Sequence, residues 1–332
     1  MSKTASESFL DLSYKSFLDF SGWNAQRIHR LFGLASEFRE RHQAELKSPT
    51  VKSSRSLVFA GSGKTASLLF FEPSTRTRMS FESACHRIGL SAMVLDTGGG
   101  TSLEKGETVE DSILNLAAME PVVMIVRCNN DTDLAKLQKR ISCPIVNAGW
   151  GVIGHPTQAL LDAFTFREHF PEMDQLKLLM VGDIKHSRVA SSHFALAKIL
   201  GYKIAICGPK QLMVQEPGVE IFENLDQAMK WSNTVMMLRF QFERHGISGA
   251  DSLAISPKEA RAVYGMTTER AKQLDAKTWI THPGPVIHGV EMDSEVLQDP
   301  RCLVLNQVTN GVYTRQALLL ELLSRPLLTG AT

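Results

Sequence analysis

Apolar and polar positions along this chain fall into blocks whose period changes from helix-like to strand-like and back. Residues 24–46, "NAQRIHRLFGLASEFRERHQAEL", repeat apolar side chains every three or four positions and predict an amphipathic helix. Short apolar runs follow, "SLLFF", "SAMVL", "VVMIV" and "PIVNAG", interleaved with helical stretches after Pro73 and from about Val109. Near Leu176 a second series begins with "LKLLMVGD", a helix over 188–200, then "KIAICGP", "TVMMLRF" and "TWITHPGP". This βαβα rhythm predicts parallel sheets with helices on both faces. The intervening "HPTQALLDAFTFREHFPEM" reads as a helix bridging two α/β domains. The last periodic segment, "TRQALLLELL", is too short for a domain and is expected to pack back on the first one. The fold class is therefore α/β, with two doubly wound parallel-sheet domains joined by interdomain helices. Residues 1–156 plus 306–332 are assigned to one domain and 157–305 to the other.

Composition narrows the function. With 36 Lys and Arg against 35 Asp and Glu, the formal charge is +1, so no global field favours nucleic acid or an acidic membrane. Any anion site must be local. No apolar run approaches the ~20 residues of a membrane span. The start, "MSKTASESFLDLSYKS", lacks a secretory apolar core, and its two acids argue against a transit peptide. Five scattered cysteines (Cys85, Cys128, Cys143, Cys207, Cys302) make no C-x-x-C pair and read as reduced core thiols of a cytoplasmic protein. No His/Cys/Asp set has ligand spacing, so neither a metal nor a cofactor is expected.

Two segments imitate nucleotide sites. "GSGKT" at 61–65 suggests a P-loop, but Val58 stands where that pattern needs its first glycine, and a strand rather than a helix follows. A turn into a strand accounts for it. "VGDIKHSR" follows a strand with one glycine where a dinucleotide fingerprint has three.

"FFEPSTRTRMSFESA", from Phe70, carries more chemistry. Pro73 ends a strand, and Ser74 or Thr75 is placed to cap the helix that follows. The first-turn amides have no intrahelical partners and point outward with the positive end of the helix dipole, which suits a phosphate. Arg76 adds a planar donor fork, and Thr75 and Thr77 add hydroxyls. Arg78 lies on roughly the opposite face, with Glu82 four residues on as its expected partner. Taken alone, the segment fits equally a capped helix with two surface arginines.

"FFEPSTRTR" resembles the carbamoyl-phosphate signature of the aspartate and ornithine carbamoyltransferase family. The likeness runs from about Leu18 to Leu323 through "TSLEKGET", the arginine closing "VVMIVR", "NAG", "HPTQALLDAFT", "VGDIKHSR", "LRFQFER" and "HPGPV", in the family's order. The resemblance implies that Ser74, Thr75, Arg76 and Thr77 hold the phosphate. It also implies that Thr77, Arg127 and His155 surround the carbamoyl oxygen, and that Gln158 orients the carbamoyl nitrogen. Arg188 is matched to the α-carboxylate of the amino-acid substrate, and Arg239 with Gln241 to its side-chain carboxylate. Gly284 and Pro285, within the turn Pro283–Val286, are expected beside the reacting amide. Ser102 and Lys105 match residues that reach a neighbouring subunit's site, which implies a homotrimer with shared active sites. Each motif has a plainer reading beside this one: a structural His before Pro, an edge strand with polar residues, a charged glycine-rich loop.

The resemblance implies carbamoyl transfer from carbamoyl phosphate to L-aspartate, with Arg76, Thr77, Arg127 and His155 as catalytic groups. Arg239-x-Gln241 and the absence of cysteine from the "HPGP" loop favour aspartate over ornithine. A non-catalytic paralogue, acting as a binding or scaffolding trimer, is the alternative from another class. Trp150, Ile287 and His288 depart from the family's usual residues, and Phe240 and Phe242 make their segment more aromatic. The N-terminal extension and "HPGP" resemble the subfamily that assembles with dihydroorotase-like subunits; regulatory subunits are the other assembly the family offers.

Overall fold

The computed structural model describes residues 16–47, 61–96, 105–242 and 255–323. The chain forms two compact units, one running to Leu161 and resuming at Thr309, the other spanning Asp162–Val308.

The first unit opens with α1 (Ala25–Lys47), which buries Ile28, Leu31, Phe32, Ala35 and Phe38 at the spacing the sequence shows. Arg27 is buried on the same face, 3.6 Å over the Trp23 ring and paired with Glu321 at 2.7 Å. Then come β1 (Thr65–Phe70), α2 (Thr75–Arg87), β2 (Ser91–Asp96), α3 (Val109–Ala117), β3 (Val123–Cys128), α4 (Leu134–Gln138) and β4 (Ile145–Trp150). The strands pair in parallel in the order β2-β1-β3-β4. Leu69, Met124, Val126 and Ile145 form one core cluster with Ile113 of α3 and Leu134 and Leu137 of α4. Each such side chain contributes about 1.5–3 kcal/mol on burial. "GSGKT" is a turn at Gly61–Gly63 leading directly into β1, with Lys64 N donating to Gly61 O at 2.9 Å.

α5 (Pro156–Arg167) crosses the boundary between the units. The second unit continues with β5 (Lys177–Val181), α6 (Arg188–Leu200), β6 (Lys203–Cys207), β7 (Val219–Phe222), α7 (Leu225–Trp231), β8 (Thr234–Met237), α8 (Pro257–Tyr264), α9 (Thr268–Gln273) and β9 (Trp279–Thr281). Its sheet is parallel throughout, ordered β7-β6-β5-β8-β9. Leu179, Val181, Ala205, Val235, Met237 and Ile280 build its core.

α10 (Val304–Leu323) starts ten residues earlier than the apolar run from Thr314 predicts. Its first turns, "VLNQVTNG", hold weak helix formers, and Leu305 is exposed, so no apolar stripe announces them. Gly311 is there for packing: a Cβ would lie 2.9 Å from Arg315 Nη1 and 3.0 Å from Leu161 Cδ2. The later turns pack on the first unit, where Arg315 donates to Ser80 Oγ at 2.7 Å. α4, β7, α7, α8 and α9 are short or polar-faced and do not stand out from periodicity.

Candidate active site

Each sheet has one place where consecutive crossovers leave in opposite directions. In the first, β1 lies between β2 and β3; in the second, β5 lies between β6 and β8. At such switch points the loops after the two central strands splay apart and leave a crevice. Ser74, Thr75, Arg76 and Thr77 follow β1 and Arg127 closes β3; Arg188 follows β5, and Arg239 and Gln241 follow β8; His155 and Gln158 come after the edge strand β4, and Gly284 and Pro285 after the edge strand β9.

At the first switch point, Phe70 and Arg127 are register partners at the ends of β1 and β3, and Phe71 N donates to Arg127 O at 2.9 Å. Ser74 takes the cap position of α2, one of the two residues expected there, but makes no side-chain cap bond. The first backbone bond of the helix is Arg78 N to Ser74 O, at 3.1 Å. The amides of Thr75, Arg76 and Thr77 therefore have no preceding helical carbonyl to bond, and they are the donors an anion would use. Thr77 is buried, while Arg76 is exposed as a residue. Partial burial of the Arg76 guanidinium pulls its pKa down from the ordinary value. It stays charged, and its attraction for an anion is less screened than in open water.

Arg78 departs from expectation. It pairs with Asp96 at the end of β2 rather than with Glu82, because the parallel neighbour strand brings that carboxylate to the side of α2. The role assigned to Arg78, structural rather than anion-binding, is unchanged. Arg127 lies 3.6 Å from Glu72 Oε2, which turns its head toward the β1 loop.

His155 precedes Pro156 at the start of α5 and is buried, with Thr157 Oγ1 3.4 Å from its Nδ1 and its carbonyl accepting Gln158 N at 3.0 Å. Gln158, one turn in, is buried too. The loop before them is held by a residue that sequence reading used only as a marker. Asn147 Nδ2 donates to Leu18 O at 2.8 Å and Gly154 O at 3.3 Å, and its Oδ1 accepts Gly149 N at 2.8 Å. Asn130 Oδ1 accepts Val152 N at 2.9 Å, and Gly151 has φ +47°. Trp150 packs against the sheet core at Cys128, its register partner, so this departure fills space beside β3. Lys105 is exposed; Ser102 lies outside the described residues.

At the second switch point, Ser187 caps α6 by accepting Ala190 N at 3.2 Å, and Arg188 is the first helical residue. Asp183, fully buried, accepts His186 N at 3.2 Å and meets the His186 ring at 2.9 Å. Arg239 and Gln241 lie beyond β8, which ends at Met237, so strand alternation does not set their direction. Gln241 is instead fixed by donating from Nε2 to His186 O at 2.7 Å, which ties the loop after β8 to the turn preceding Arg188. Phe240 is buried and stacks on Phe242 with ring centroids 5.9 Å apart.

Sequence reading missed Glu291. It is fully buried; its Oε1 accepts Phe240 N at 3.0 Å and its Oε2 accepts Ile287 N at 2.7 Å. One carboxylate thus braces the Arg239 loop against the turn holding Gly284 and Pro285, whose peptide bond is cis. Burial pushes its pKa up to about 7, against the lowering effect of the Ile287 and Phe240 amides and of the Arg239 charge. The only sequence signal was an acid five residues after an apolar turn, which any exposed loop also shows.

Among the described residues no cluster of three or more His, Cys, Asp or Glu is disposed to hold a metal, and no helix is long and apolar enough to cross a membrane. The five cysteines form no disulfide, and burial pushes the Cys85 and Cys207 thiols up to about 12.

Each of the two parallel α/β units carries cationic and hydrogen-bonding side chains in the loops after its own central strands, the arrangement of an α/β transferase family. The chain belongs to the aspartate/ornithine carbamoyltransferase family: the carbamoyl-P binding domain of that family matches residues 15–168, and its Asp/Orn binding domain matches 174–322. The aspartate carbamoyltransferase catalytic subunit of Xanthobacter autotrophicus is 38% identical over 312 residues, 93% of this chain and 94% of that protein. That of Azorhizobium caulinodans is 37% identical over 328 residues, covering 97% of this chain and 98% of the relative. Among solved structures, aspartate transcarbamoylase from Trypanosoma cruzi in complex with aspartate and phosphate has a TM-score of 0.81 at 26% identity, covering 94% of this chain and 97% of that one.

Proposed function

We propose that this chain transfers the carbamoyl group of carbamoyl phosphate to the amino group of L-aspartate, giving N-carbamoyl-L-aspartate and phosphate. One observation carries the reading: first-turn amides with Arg76 and Thr77 follow β1 and Arg127 closes β3 at one switch point, with His155 after the neighbouring strand β4, while Arg188 follows β5 and Arg239 and Gln241 follow β8 at the other. The first set suits a phosphoryl group and a carbonyl; the second suits two carboxylates.

In this reading Ser74, Thr75, Arg76 and Thr77 hold the phosphate. The aspartate amine attacks the carbamoyl carbon, and the carbonyl oxygen becomes an oxyanion stabilised by Thr77, Arg127 and His155. Removing one such donor typically costs about 3–4 kcal/mol of barrier. Gln158 orients the carbamoyl nitrogen. The C–N bond forms, the C–O bond to phosphate breaks, and the amine proton leaves with phosphate, so no side-chain nucleophile is needed. Arg188 meets the α-carboxylate, Arg239 with Gln241 the β-carboxylate, and Gly284 and Pro285 border the reacting amide. Two anions are brought together and their charge is matched in place.

The division of labour we assign is 1–156 plus 306–332 for carbamoyl phosphate and 157–305 for aspartate. The working unit is a homotrimer in which Ser102 and Lys105 complete a neighbour's site, with dihydroorotase-like or regulatory subunits as further partners. The product's place is early in pyrimidine biosynthesis, in the cytoplasm. No observation favours a non-catalytic trimer. Incubating purified protein with carbamoyl phosphate and labelled aspartate tests the reading: labelled N-carbamoyl-L-aspartate supports it, and its absence at saturating substrates ends it.

A further inference from the structure

The second unit contains a buried polar chain that the reaction does not use. Asp162 of α5 and His193 of α6 are both fully buried, and Asp162 Oδ2 lies 3.1 Å from His193 Nε2. The other oxygen, Oδ1, accepts Gln307 Nε2 of α10 at 2.7 Å. Gln307 Oε1 accepts the His282 amide at 3.1 Å, and His282 Nδ1 accepts the Gly284 amide at 2.8 Å. At the far end, Tyr202 OH lies 2.8 Å from His193 Nδ1 and donates to His193 O at 3.2 Å. Burial first, and the Asp162 charge second, push the Tyr202 phenol well above its ordinary pKa, so its hydroxyl keeps the proton it donates.

A buried carboxylate is costly unless its hydrogen bonds are needed. Here the two oxygens serve different elements. One holds α6, whose first residue is Arg188; the other, through Gln307 and His282, holds the turn of Gly284 and Pro285.

We propose that Asp162 is a positioning residue that sets the Arg188 helix and the Gly284–Pro285 turn in fixed register with each other. It never touches substrate. It acts on the half of the site assigned to aspartate, and this consequence rests on the proposed carbamoyl transfer; the register itself does not.

The test uses the full chain carrying Asp162→Asn, Gln307→Leu, His193→Leu or Tyr202→Phe. Amide hydrogen exchange reads the register directly. Asp162→Asn is expected to speed exchange in both 188–194 and 282–289, Gln307→Leu in 282–289 alone, and His193→Leu in 188–194 alone. Kinetics read the consequence. Asp162→Asn is expected to raise the aspartate KM about tenfold, the loss of a hydrogen bond to a charged group, and to leave the carbamoyl phosphate KM within about twofold. Tyr202→Phe should lower the melting temperature without separating the two constants. Exchange unchanged in both segments, or both KM values rising together, overturns the proposal. If Asp162→Asn does not fold, Gln307→Leu and His193→Leu carry the same comparison one branch at a time. A wild-type protein without aspartate transfer defeats the functional reading, and the exchange pattern then still decides the register.

Discussion

Phe70 and Arg127 stand opposite one another at the ends of β1 and β3, and the next amide, Phe71 N, donates to Arg127 O at 2.9 Å. That pairing brings the "STRTR" corner and the arginine closing the third strand to one end of the sheet, although about fifty residues separate them. The chemistry proposed for the first unit depends on it.

Arg76 has the most direct consequence. Arg76→Ala should lower kcat by about 100-fold or more if the guanidinium stabilises charge in the transition state. Arg76 is exposed as a residue and its guanidinium only partly buried, so folding stability should change by no more than about 0.5 kcal/mol. Steady-state kinetics with a urea melt separates these effects; unchanged kcat removes Arg76 from the site.

Arg239 is proposed for the aspartate side of the site. Arg239→Ala should raise the aspartate KM far more than the carbamoyl phosphate KM, because only aspartate offers a second carboxylate to clamp. Equal increases in the two constants would contradict the assignment.

Glu291 should impose a pH dependence with opposite signs in function and stability. Its pKa, pushed up to about 7, lies above the unfolded value of 4.5. Between those values the folded state binds more protons than the unfolded one, so this group's contribution to stability grows as pH falls from about 7 toward 4.5. Protonation, however, converts one oxygen from acceptor to hydroxyl and weakens a bond to Phe240 N or Ile287 N. The aspartate KM should therefore rise as pH drops below about 7, a step that Glu291→Gln abolishes. A flat wild-type profile from pH 8 to 6 would falsify this role.

Gly151 tests the loop that presents His155. Its φ is +47°, and an added Cβ would lie 1.7 Å from Asn130 Oδ1 and 2.9 Å from Asn130 N. Gly151→Ala should destabilise the protein by about 1–3 kcal/mol and reduce kcat. A urea midpoint equal to that of the parent would show that the loop yields at no cost.

The proposed sharing of sites between subunits has a mixing test. Lys105→Ala and Arg76→Ala proteins, each inactive, should regain activity when mixed and allowed to exchange subunits. No recovery after exchange is verified by mass would place Lys105 in its own subunit's site or in none.

Sequence alone determined the two parallel α/β units, because an apolar strand buried on both faces leaves a run that polar loops interrupt. It also singled out the residues proposed for the anion chemistry, because a hydroxyl- and arginine-rich corner after a strand is chemically conspicuous wherever it folds. What it could not carry were relations set by the third dimension. Arg78 met Asp96 rather than Glu82 because a neighbouring strand, not the helix repeat, supplied the nearer carboxylate. Gln241 was fixed by a carbonyl fifty-five positions away. Glu291 and Asp162 looked like ordinary acids until burial and the amides and side chains around them made them braces. Identity and periodicity are local properties of a chain, whereas desolvation and hydrogen-bond partnership are created by the neighbours that folding brings.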